Sequence, residues 1–142
     1  MEFIKRFREW ILLKEKLDQE NIKPPLFKEG EVWWCGIGEN IGVEVSGKEQ
    51  SFSRPVLVFR KLSQHGFVGI PLSTQIKEGT WYVSLSYQGK PIVAHLSQTR
   101  FFSTKRIYNK LTTLDDGDFA KTKEAFHGLF CGNSPTKRQE RG

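Results

Sequence analysis

Arg54 stands at the mouth of an apolar run, Ser53-Arg54-Pro55-Val56-Leu57-Val58-Phe59. The hydroxyls of Ser73 and Thr74 stand just past the next run, Gly69-Ile70-Pro71-Leu72. A guanidinium is a bidentate clamp for phosphate and a poor base at its ordinary pKa. A hydroxyl can donate to a phosphoryl oxygen. Held by one rigid sheet, the two can gather around a phosphodiester without any metal. Stabilising the charge that grows on the phosphoryl oxygens is often the largest single catalytic contribution. His95 adds a side chain whose reference pKa lies near neutrality, suited to acid or base work. Each residue also has a structural reading: a solvated strand-edge arginine, a turn-capping serine or threonine, a packed strand-end histidine.

Composition bounds what these residues can belong to. A chain of 142 residues is one domain, with room for an appendage and a modest core. Aromatics at 13% argue against disorder throughout. No apolar run is long enough to span a bilayer, and Glu2, Glu9 and Glu15 interrupt any signal-peptide pattern. The cytoplasm is therefore the expected compartment. Cys35 and Cys131 fit no metal spacing, so two buried or half-buried thiols are expected. With only His65, His95 and His127 beside them, no zinc site or other cofactor is expected. The net charge of +6 suits a polyanionic partner, nucleic acid being the commonest. Part of that excess sits in the tail at Lys137, Arg138 and Arg141.

The positioning elements follow from periodicity. Residues 2–20 read as a helix, with Phe3, Ile4, Phe7, Trp10, Ile11, Leu13 and Leu17 in one broad stripe, ended at Pro24-Pro25. Residues 1–26 thus form a helix and linker. Residues 27–131 form the main domain, and 132–142 a basic tail expected to be disordered. Strands are predicted over 31–35, 55–61 and 67–72, with a long loop over 40–53 and a turn over 62–66. Residues 81–87 and 90–95 make a hairpin around Gln88-Gly89. A short strand at 100–102, a helical turn at 105–108 and a strand at 110–114 follow. Asp115 caps a last helix lined by Phe119, Phe126, Leu129 and Phe130, which Gly132 ends. Short strands, polar turns and a closing helix suggest a small antiparallel barrel.

Taken in order, Phe27-Lys28-Glu29-Gly30-Glu31-Val32-Trp33-Trp34, the Arg54 run, the Ser73 run and Gln98-Thr99-Arg100 resemble the MazF/PemK toxin family over about residues 27–130. The resemblance implies a mainly β (α+β) fold. It would be an SH3-like small β-barrel of the MazF/PemK/CcdB type with a C-terminal helix. The N-terminal amphipathic helix is extra, since members begin near the position of Lys28. The resemblance also implies the toxin of a type II toxin–antitoxin system. Such a toxin is a metal-independent endoribonuclease that cuts single-stranded RNA, mRNA above all, by attack of the ribose 2′-OH. The products are a 2′,3′-cyclic phosphate and a 5′-hydroxyl. A homodimer sharing an RNA groove is implied, with a cognate antitoxin laying an acidic, partly disordered peptide along it.

Carried onto this sequence, Arg54 falls where the family has its catalytic arginine, before the Pro-Val of the second strand. Ser73 or Thr74 supplies the family's hydroxyl, and the order leaves open which one. Gly42-Val43-Glu44 matches a Gly-x-Glu element, in which Glu44 would orient the arginine or assist proton transfer. Where this chain has His95 and Ser97, one branch has a catalytic arginine and aspartate. That departure centres the chemistry on Arg54 and Ser73. Gln98, Arg100, Phe101, Lys105 and Arg106 make a candidate RNA surface of phosphate-pairing cations and a stacking ring. One of Phe101 and Phe102 should point outward. Two rivals stand beside this reading. One is a gyrase poison of the same fold, like CcdB, against which the basic polar tail argues. The other is a barrel that binds RNA or protein without cutting.

Overall fold

The computed structural model describes residues 5–21, 23–49 and 51–132. Its elements are α1 (Phe7–Gln19), β1 (Glu31–Gly36), β2 (Ser53–Ser63), β3 (Gly66–Ser73), β4 (Tyr82–Tyr87), β5 (Lys90–His95), β6 (Arg100–Ser103), β7 (Ile107–Thr113) and α2 (Asp116–Phe130). Short 3-10 turns at Leu96–Gln98 and Thr104–Arg106 flank β6. The strands run antiparallel in the order β4-β5-β3-β2-β1-β7. β3 is forked: its first half pairs with β6 and its end with β5. β4 and β7 end the order without pairing to each other, so the expected barrel takes the form of an open sheet.

Residues 56–59 of β2 are buried on both faces, and their alternation separates two cores. Leu57 and Phe59 join Ile70, Leu72, Ile92 and Ala94 in one core, which Phe119, Phe126 and Leu129 of α2 cover. Val56 and Val58 face the other way, with Trp33, Cys35, Phe67 and Phe102. Asp115 caps α2 by accepting from the Asp118 N–H at 2.7 Å, and Gly132 follows the helix at φ +74°. Phe130 at the end of α2 is half exposed, with its ring packed against Phe126 and Trp81 at the rim of the core that α2 covers.

Several boundaries differ from those read in the sequence. β2 runs from Ser53 to Ser63 and takes in part of the expected turn. β7 begins at Ile107, directly after the 3-10 turn that stands where the helical turn was predicted. α1 starts at Phe7 because Arg6 leaves helical geometry to donate its backbone N–H to Glu39. Phe3 and Ile4 of the predicted stripe, and residues 133–142 of the tail, lie outside the described residues. Within the stripe Trp10 and Leu17 are buried against Phe52 and Tyr108, whereas Ile11 is exposed. Cys35 is buried as expected. Cys131 is exposed, because it lies one residue past α2 and beyond the core that helix covers. No helix among the described residues is long and apolar enough to cross a membrane.

Candidate active site

Sheet register brings the chemistry together. Val56 lies opposite Pro71, so continuing the ladder by two residues sets Arg54 opposite Ser73. Ser73 is paired with Val93, two residues before His95. Opposed residues of antiparallel strands share a face, as do residues two apart along one strand. Arg54, Ser73 and His95 therefore project from one side of three adjacent strands. They line a groove of about 910 Å³ whose other wall is the 43–49 stretch of the loop between β1 and β2.

Each side chain is held differently. The Arg54 Nε donates to the Ser46 carbonyl at 2.9 Å and one terminal nitrogen to the Leu72 carbonyl at 3.4 Å. No carboxylate among the described residues is ion-paired to it. Burial pushes its pKa below the ordinary value. Ser73 Oγ accepts the Gln75 N–H at 3.0 Å, so it caps a turn and keeps its own proton to donate. His95 packs edge-on against Tyr82, ring centroids 5.2 Å apart. Its Nε2 is buried with no hydrogen-bond partner among the described residues. Burial first, then the positive charges of Arg54 and Lys77, holds its pKa below 6.5. The imidazole is thus neutral at neutral pH, beside a cation with no ion-paired carboxylate among the described residues.

Residues 28–130 match the family model of PemK-like, MazF-like toxins of type II toxin–antitoxin systems. The chain belongs to that family. MazF-family toxins are endoribonucleases. Among solved structures, MazF from Deinococcus radiodurans superposes with a TM-score of 0.60 at 19% identity, over 75% of this chain and 98% of that one. The MazE–MazF structure from the same organism gives 0.55 at 18% identity, over 78% and 99%. An endoribonuclease in complex with its cognate antitoxin, from a mycobacterial species, gives 0.58 at 12% identity, over 78% and 100%. These likenesses show a shared fold. A search of curated proteins finds no match to the chain.

Within this MazF-like fold the other candidate residues divide into groups. Glu44 and Gln98 border both the Arg54 groove and a neighbouring depression of about 410 Å³ that Arg100 also lines. Glu44 makes no hydrogen bond or ion pair with Arg54. Its carboxylate accepts the Ile41 N–H at 3.1 Å, and Ser46 does the orienting instead. Gln98 Oε1 accepts the Val45 N–H at 3.1 Å and pins the loop between the two depressions. Thr74 is exposed and does not line the groove, so Ser73 is the hydroxyl beside Arg54. Phe101 is exposed and Phe102 buried, as alternation requires. Lys105 and Arg106 sit against α1 instead: Lys105 Nζ donates to the Asp18 carbonyl, and Arg106 lies over Trp10.

Sequence reasoning missed Tyr82, Lys77, Lys5 and Arg6, all of which line the groove. Tyr82 was findable, because a two-residue turn at Gln88-Gly89 places it opposite His95. Lys5 and Arg6 carried no signal, since their contacts reach more than thirty residues along the chain.

Proposed function

We propose that the groove binds single-stranded RNA and cleaves it by 2′-OH transesterification without a metal. The protein would act as the cytoplasmic toxin of a type II toxin–antitoxin system. The observation that carries this reading is the meeting of Arg54, Ser73 and the His95 ring on one side of β2, β3 and β5, around one groove. A scissile phosphate against Arg54 gains two charge-assisted hydrogen bonds, and the Ser73 hydroxyl donates to a non-bridging oxygen. Neutral His95 takes the proton of the attacking 2′-OH. The P–O5′ bond breaks as the P–O2′ bond forms, leaving a 2′,3′-cyclic phosphate. The leaving O5′ takes a proton from water and departs as a 5′-hydroxyl, and the His95 imidazolium returns its proton to the hydroxide so formed. Arg54 and Ser73 stabilise the charge of the phosphorane, which is greater than that of the bound substrate.

The Glu44 wall, Gln98 and Arg100 extend the site for flanking nucleotides, phosphate to cation. Phe101 projects from the other face of the sheet, over Gly66. Specificity would reside in the loops over 40–53 and 73–79, which border the groove. A second copy of the chain would complete the groove. The solved MazE–MazF and endoribonuclease–antitoxin complexes support an antitoxin as partner. The test is cleavage of long single-stranded RNAs of varied sequence in EDTA, comparing the wild type with Arg54→Ala. Chelator-resistant cutting that disappears in the variant supports the reading. Cutting that survives Arg54→Ala removes Arg54 from its centre. No cutting of any RNA by the wild type leaves a binding module of the same fold.

A further inference from the structure

We infer that the N-terminal segment is a strap that positions the catalytic arginine, with Arg6 as its key positioning residue. The inference rests on the reading of Arg54 just given. Residues 1–27 precede the part of the chain that the family model matches, yet three of them clamp the loop that walls the groove. Arg6 donates its backbone N–H and its Nε to Glu39 Oε2 at 2.9 and 3.3 Å, and a terminal nitrogen to the Glu49 carbonyl at 2.8 Å. Lys5 Nζ donates to the carbonyls of Asn40 and Gly42 at 2.7 and 3.0 Å. Trp10 of α1 covers Gly38, where a Cβ would land inside the indole ring and the backbone holds φ +88°.

The Glu39 side chain is only 2% exposed, and Arg6 is the only cation ion-paired with it among the described residues. A buried carboxylate stripped of its partner is strongly unfavourable. Docking of the strap therefore favours this shape of the loop, in which Glu39 is buried. The same loop delivers the Ser46 carbonyl to Arg54 Nε and closes on itself through the Gly47 N–H to the Gly38 carbonyl at 2.7 Å. A path of direct contacts thus runs from Arg6 through Glu39 and the loop to Arg54. Undocking the strap releases the groove wall and the Arg54 tether together. Docking it assembles the site without any residue of the strap needing to touch the phosphate.

The experiment has two readouts on full-length protein: amide hydrogen exchange, and cleavage at saturating RNA. In Arg6→Ala, exchange across residues 38–49 should accelerate by about tenfold or more, while β2, β3 and β5 keep their protection. The maximal rate should fall about tenfold or more, with the larger change in kcat than in KM. Glu39→Gln in the Arg6→Ala background should restore much of both, because the unpaired charge is gone. Unchanged exchange in the loop overturns the strap, whether or not the protein cuts RNA. Exchange that accelerates equally throughout the sheet makes Arg6 a general stability residue and also overturns it, as does failure of Glu39→Gln to rescue. If the loop loosens but the wild type cuts no RNA, the strap stands as a loop anchor and the proposed function fails.

Discussion

Arg54 and Arg106 look alike by the usual measures. Both are half buried, both have a pKa pushed down chiefly by that burial, and both donate to a main-chain carbonyl. Their surroundings differ. Arg106 gives its bond to the Gly36 carbonyl at 2.9 Å and lies over the Trp10 ring, bound in by the contact between α1 and β1. Arg54 faces an open groove, beside a hydroxyl with a proton to donate and a histidine ring whose buried Nε2 has no partner among the described residues. Burial of a cation is therefore no mark of function in this molecule. Unmet hydrogen-bonding capacity around an accessible volume separates the two flanks.

The sharpest way to break that comparison is to truncate both arginines. Arg54→Ala should lower kcat/KM for RNA by roughly a hundredfold to a thousandfold, the loss typical of a removed transition-state donor, with little change in melting temperature. Arg106→Ala should do the reverse. Its stacking and hydrogen bond are worth about 1–2 kcal/mol of stability, and folded protein should keep its rate. Thermal melts and single-turnover cleavage on both variants decide it. A rate loss as large in Arg106→Ala as in Arg54→Ala would erase the distinction.

Next in size is the histidine. His95→Gln should cost about a hundredfold in rate, the lower end for a general base. Its lowered pKa gives the sign of the pH dependence. In the proposed mechanism the neutral form is the working one, so the wild-type rate should hold through neutrality and fall only as pH drops through a value below 6.5. That acidic limb should vanish in the variant. Folding stability must follow the same sign. The unfolded chain binds this proton more readily, so the contribution is complete above the unfolded pKa and is lost as pH falls toward the folded one. The difference between wild-type and His95→Gln melts across pH 5–7 isolates it from His65 and His127.

Ser73 and Thr74 make a smaller, internal comparison. Ser73→Ala removes a donor to a charged oxygen and should slow cleavage about tenfold, with about 1 kcal/mol of stability lost with the turn cap. Thr74→Ala should leave both near wild type. Parallel rate measurements are enough, and a larger loss at Thr74 would exchange their roles.

The two flanks were not equally legible in the sequence. The Arg54 side could be read, because successive side chains take opposite sides along a strand and a two-residue turn fixes the register of β4 on β5. Arg54, Ser73 and His95 fall together once β2, β3 and β5 are laid side by side. Phe101 and Phe102 were separable for the same reason, alternation along one strand. The α1 side could not be read this way. The stripe predicted a helix, but not that Arg6 would leave it for Glu39, nor that Lys105 and Arg106 would hold the helix. Those contacts join segments 33 and 87 residues apart, and no periodicity encodes them. Glu44 makes no hydrogen bond to Arg54 for a related reason: a loop carboxylate takes the nearest free N–H, here that of Ile41.

The smallest effect tests the flanks by salt alone. Lys77 lines the groove, and its charge reaches His95. Lys105 spends its ammonium on the Asp18 carbonyl at 2.6 Å, on the α1 side. Each phosphate contact on a single strand contributes about 0.7 to the slope of log affinity against log salt. Lys77→Ala should therefore flatten that slope by about 0.7 for RNA binding, whereas Lys105→Ala should leave it unchanged. Both variants lose one positive charge, so a general effect of net charge would move them equally. Binding of an uncleavable RNA with 2′-O-methyl riboses, titrated at several salt concentrations, separates a located contact from bulk attraction. Equal slopes in the two variants would mean that RNA reaches across to α1, and that the boundary between the flanks is drawn in the wrong place.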